Sequence, residues 1–85
     1  MDLEKVAKKE IERMEVVFSS IEATEEGREL LDLARAYWED AKYFYEKKKF
    51  LEAFEAAVIA WAYVDVGLHF KIFRIPKRLK RMFTA

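Results

Sequence analysis

Apolar side chains return at alternating steps of four and three residues along three stretches of this chain, a spacing that makes one buried stripe on a helix. The first stretch carries Leu3, Ala7, Ile11, Met14, Phe18 and Ile21, and the second Leu30, Ala34, Tyr37, Ala41 and Phe44. The third carries two stripes. One is Phe50, Phe54, Ala57, Trp61, Val64 and Leu68; the other is Ala56, Ile59, Tyr63, Val66, Phe70 and Phe73. Two stripes on one cylinder predict the most buried helix of the fold. Asp2 is placed to cap the first helix, and Thr24 the second, with Glu25 and Glu26 in its first turn. Lys47-Lys48-Lys49 sets cations at the negative end of the second helix. The residue before Pro76 disfavours helical geometry, so the third helix is expected to end there.

These signals predict helices at about 2–21, 25–48 and 50–74, packed as an all-α, antiparallel up-down-up three-helix bundle. The bundle spans 1–75, and 76–85 forms a short basic C-terminal extension. Composition agrees. Two glycines and one proline in 85 residues argue against a turn-rich β fold, and 53% hydrophobic residues suffice for one core. The absence of Cys excludes disulfides and thiolate metal sites. Asn and Gln are absent too, while charged residues reach 38%, the pattern expected of a hyperthermophile protein. Met1 leads into the charged, amphipathic start Asp2-Leu3-Glu4-Lys5, so a cytoplasmic location is expected. The longest weakly polar run, Ala56 to Leu68, is too short for the roughly 20 residues of a membrane span.

Tyr37-Trp38-Glu39-Asp40-Ala41-Lys42-Tyr43-Phe44, Glu46-Lys47, Ala53-Phe54, Ala60 and Val64-Asp65-Val66-Gly67 together resemble the short archaeal proteins of domain-of-unknown-function family 357. The resemblance implies an archaeal source and an all-helical bundle. It lends no catalytic residues, because the family has no assigned activity. Lys48-Lys49 stands where the family tends to have Gly-Asp, and Ile59 where it has tyrosine. Tyr45 to Ala60 is also similar to tetratricopeptide and microtubule-interacting hairpins, through small residues of the kind any close helix crossing uses.

Little in the sequence points to catalysis. No phosphate loop, paired-histidine ligand motif or nucleophile elbow is present. Asp65 interrupts an apolar run and is the one buried polar candidate. With His69 one turn later it makes half of a metal or acid–base site, for which Asp40 and Glu46 are no more than candidate third ligands. A carboxylate serving the structure is the favoured reading, and neither catalytic residues, metal nor cofactor is assigned. The aromatic set Tyr37, Trp38, Tyr43, Tyr45, Trp61 and Tyr63 reads as core filler rather than as a stacking platform for bases.

Two surfaces carry the functional expectation. The second stripe of the third helix, Ile59, Tyr63, Val66, Phe70 and Phe73, extends far enough around the cylinder to serve a homodimer or another protein partner. The charge is also unevenly placed. Residues 1–40 hold 12 acids and 6 bases, while residues 41–85 hold 4 acids and 10 bases, so an overall net of zero conceals −6 and +6. Lys71, Arg74, Lys77, Arg78, Lys80 and Arg81 follow the last acid, Asp65. Pro76 can open a short helix with Leu79, Met82 and Phe83 on one side. Such a tail is expected to dock on the acidic turn Glu22, Glu25, Glu26 and Glu29, of its own chain or of a dimer mate, with Leu79 and Phe83 covering the bundle end. The competing expectations are nucleic-acid phosphates bound by Lys77, Arg78, Lys80 and Arg81, an anionic membrane surface, or an acidic protein. The expected function is a non-catalytic interaction module, with nucleic-acid binding through the tail as the alternative.

Overall fold

The computed structural model describes residues 1–83. Three helices pack together: α1 (Leu3–Phe18), α2 (Arg28–Glu46) and α3 (Phe50–His69). Asp2 caps α1 as expected, its carboxylate accepting the Lys5 amide at 3.2 Å. Thr24 makes no side-chain cap; it precedes a single 3₁₀ turn, Glu25–Gly27, that leads into α2.

The core explains how helices with so many bulky residues come together. The side chains removed from solvent between the helices are mostly small: Ala7 on α1, Ala34 and Ala41 on α2, and Ala53, Ala56, Ala57 and Ala60 on α3. Alanine seams bring backbones close, and the larger residues close the margins. Trp38, Tyr37, Trp61 and Tyr63 are half-buried around a centre of Met14, Val17, Phe18 and Val64. The expected α3 core stripe is seen, with Ala57 and Val64 buried and Phe50, Phe54, Trp61 and Leu68 half-buried.

Both later helix ends differ from expectation in an informative way. α2 stops when Lys48 turns into the left-handed region at φ 62°. The Lys49 amide then reaches back to the Phe44 carbonyl and the Lys48 amide to Tyr45. α3 stops at His69 rather than continuing to residue 74, because Lys71 adopts the same φ of 62°. The Ile72 amide bonds the Gly67 carbonyl and the Lys71 amide that of Leu68. Each is the paired closure in which a left-handed residue, usually glycine, ends a helix. Lysine fills the role twice, at Lys48 and at Lys71.

The chain beyond α3 folds back. Phe73–Arg74 (β2) pairs antiparallel with Glu22–Ala23 (β1), Glu22 opposite Arg74 and Ala23 opposite Phe73, and the Thr24 amide donates to the Ile72 carbonyl at 2.9 Å. This ribbon clips the α1–α2 connection to the end of α3. The sequence gives no alternation to announce so short a pairing.

Pro76 then precedes a 3₁₀ helix, Lys77–Met82, whose Leu79 is buried, as is the following Phe83. Ile75, Leu79 and Phe83 belong to the same core as Met14 and Val64. Phe83 stacks on Trp61 at 4.2 Å between ring centroids. Trp61 lies eight residues before the end of α3, about 12 Å along the helix. The segment therefore runs back along the bundle instead of covering its end. Residues 84 and 85 of the expected tail lie outside the described residues.

Candidate interaction surface on the third helix

The outward side of α3 is apolar. Leu51, Val58, Ile59, Val66 and Phe70 are all exposed, Phe70 at 68%, as is Ala62 between them. At 100° per residue these six fall within an arc of about 120°. The charged or titratable residues in that arc are Glu52, Glu55 and His69, also exposed. Val16, Leu33 and Tyr43 are exposed singly on α1 and α2, which is ordinary for a protein surface. A contiguous stripe is not.

The expected face needs correcting at its edges. Ile59, Val66 and Phe70 point outward as the sequence suggested. Phe73 does not: it is 5% exposed, because the chain has already left the helix and turned its ring onto Gly67. Tyr63 is half-buried against Tyr37, ring centroids 5.6 Å apart. The exposed apolar face is rotated toward Leu51, Val58 and Ala62, which the sequence reading missed. Glu52, Glu55 and His69 were the available signal, since polar residues mark the solvent side of an otherwise apolar helix.

The aromatic residues are spent on the bundle. Trp38 lies 5.0 Å from Phe18, donates its indole N–H to the Ile11 carbonyl at 3.2 Å, and receives the Lys42 ammonium 3.7 Å from its ring centroid. Trp61 carries Phe83 and the Arg13 guanidinium. Tyr45 meets Phe50 edge-on. Of the six aromatics suggested as a platform, only Tyr43 is exposed, and a single ring is no platform for successive bases.

Asp65 is half-buried rather than buried, and it is not without a partner. His69 is exposed and stands edge-on to Phe70. Among the described residues no three of the His, Asp and Glu side chains come together to hold a metal ion.

Lys77, Arg78, Lys80 and Arg81 are all exposed, as are Lys71 and Arg74. The ion pairs among the described residues are Arg13–Glu10, Arg28–Glu25 and Lys42–Glu39, each between residues three apart. The expected salt-bridged docking of the tail on Glu22, Glu25, Glu26 and Glu29 is therefore not what holds it. Its apolar side anchors it, and its cations face outward. No helix among the described residues is long and apolar enough to cross a membrane.

The family model described as protein of unknown function (DUF357) matches residues 3–73. The chain belongs to the DUF357 family. A crystal structure of a protein from Archaeoglobus fulgidus, assigned to the same family, is similar over 88% of this chain and 95% of that one, at 32% identity and a TM-score of 0.74. No curated protein matches the sequence. The DUF357 match contains α1, α2, α3 and the ribbon partner Phe73. The basic 3₁₀ helix follows it.

Proposed function

We propose that this DUF357 chain is a non-catalytic helical interaction module whose contact face is the outward side of α3. One observation carries the reading: Leu51, Val58, Ile59, Val66 and Phe70 expose an apolar stripe, interrupted by Glu55, along a helix whose opposite side already packs on α1 and α2. Leaving such area in water costs about 25 cal/mol per Å², which a docked protein surface recovers. The lack of Asn and Gln supports a hyperthermophile host. The test compares the wild type with a Val66→Glu, Phe70→Glu variant as bait in an extract of the native organism. Retention of a protein by the wild type and its loss with the variant, at unchanged melting temperature, supports the reading. Equal retention by both overturns it.

A second reading, nucleic-acid binding, is favoured by the outward display of Lys77, Arg78, Lys80 and Arg81 on an anchored segment. It requires RNA or DNA retention that falls steeply with salt and disappears when the four become alanine. No retention at low salt overturns it.

A further inference from the structure

We propose that the occupant of the α3 stripe is a second copy of this chain, its α3 lying antiparallel across a two-fold axis near residues 60 and 61. The inference rests on α3 being the contact face, and it adds the partner, the direction and the register.

The direction follows from charge. The acids of the stripe, Glu52 and Glu55, lie in the N-terminal part of α3, while His69 and, just past the helix end, Lys71 lie at the other. In a parallel pair each of these meets its own like, and so do Lys47, Lys48 and Lys49 at the start of the helix. An antiparallel pair brings Glu52 opposite the partner's His69, and it sets the two helix dipoles in opposition. Like charges held together at a contact cost several kcal/mol, so this pattern selects one direction.

The register follows from symmetry of the stripe. Turned about a point between residues 60 and 61, Leu51 falls opposite the partner's Phe70, Glu52 opposite the partner's His69, and Ile59 opposite the partner's Ala62. Exposed residues thus meet exposed residues at both ends and at Ile59 and Ala62, while Glu55 falls opposite the partner's Val66 and Val58 opposite the partner's half-buried Tyr63. An isologous contact demands this property, because one patch must be complementary to itself. The small Ala62 lies at the crossing, where two helix backbones approach closest. The bulkier Leu51 and Phe70 lie at the ends, where packed helices diverge and the gap widens. From Leu51 to Phe70 the stripe is about 28 Å long. One helix face of that length lies at the small end of specific interfaces, so the pair is concentration-dependent rather than permanent.

The chain contains no Cys, so engineered disulfides report the geometry without background. Single Ala62→Cys, Leu51→Cys and Phe70→Cys variants are oxidised at high concentration, alone and as a Leu51→Cys plus Phe70→Cys mixture, with exposed Glu12→Cys as the collision control. The proposal expects Ala62→Cys to link to itself and the mixture to give a linked pair. Leu51→Cys and Phe70→Cys should each remain at the control level, because like positions are about 28 Å apart in the antiparallel pair. Self-linking of Leu51→Cys overturns the antiparallel arrangement. Control-level linking of Ala62→Cys together with a monomer mass at about 1 mM overturns the second copy as occupant. That result leaves the contact-face reading to the extract experiment, where loss of retention by the Val66→Glu, Phe70→Glu variant identifies a different partner.

Discussion

Gly67 lies so close beneath the Phe73 ring that a Cβ on the glycine would come 2.1 Å from its Cδ2 atom. Gly27 has the same relation to the preceding residue, its notional Cβ lying 2.6 Å from the Ile72 carbonyl oxygen. Both glycines of the chain therefore make room for Ile72 and Phe73, just beyond α3. Neither has a positive φ, so the need is space and not an unusual backbone. Gly67→Ala gains about 1 kcal/mol of helix propensity but forces a buried ring to move, an overpacking cost of about 1–3 kcal/mol. We expect net destabilisation of roughly 1–2 kcal/mol, read from chemical unfolding. Adding Phe73→Ala should make the glycine substitution neutral or favourable, and additive losses would contradict the contact.

The two lysines at φ 62° make an opposite prediction. Lys48→Gly and Lys71→Gly remove a left-handed strain of about 1 kcal/mol, partly offset by the freedom glycine adds to the unfolded chain. Each should raise stability by roughly 0.5 kcal/mol, a few degrees of melting temperature in a domain of this size. A fall in melting temperature would show that the lysine side chains contribute more than their backbones cost.

Phe83 stacked on Trp61 holds the chain end to mid-α3. Phe83→Ala should cost roughly 3 kcal/mol, the low end of the range for an interior phenylalanine. Calorimetry would measure it. A loss near zero would mean that residues 77–83 dock without stabilising the bundle.

The cations of that segment should behave differently from its apolar residues. Lys77, Arg78, Lys80 and Arg81 are exposed and in ion-pair range of no described carboxylate. Replacing all four with alanine should change stability by less than about 1 kcal/mol. A larger loss would place them in the fold and weaken the phosphate-binding reading. If that reading holds, the wild type binds single-stranded RNA with a log–log salt slope of about −3, the value for four phosphates.

Much of this was legible from spacing. The α1 stripe from Ala7 to Ile21 and the α3 stripe through Ala57 and Val64 face the core as periodicity implies. The end of α3 was not legible, because Pro76 is the visible stop signal and the effective one is a lysine in a conformation lysines seldom adopt. That early stop moved Phe73 from the expected surface into the core. The rotation of the exposed α3 face was harder to read still. Apolar residues lie on every side of α3, and only Glu52, Glu55 and His69 mark the side that remains in water. The ion pairs expected to hold the tail gave way to apolar anchoring, since Ile75, Leu79 and Phe83 have buried area to gain whereas exposed ion pairs contribute little.

Sedimentation equilibrium over a wide concentration range tests the α3 pairing most directly. The wild type should rise from 10.2 kDa toward twice that mass, while Phe70→Glu stays at 10.2 kDa with an unchanged melting temperature. A wild type that remains at 10.2 kDa up to about 1 mM would contradict the pairing, since even a weak specific contact at the small end of interface sizes is populated there.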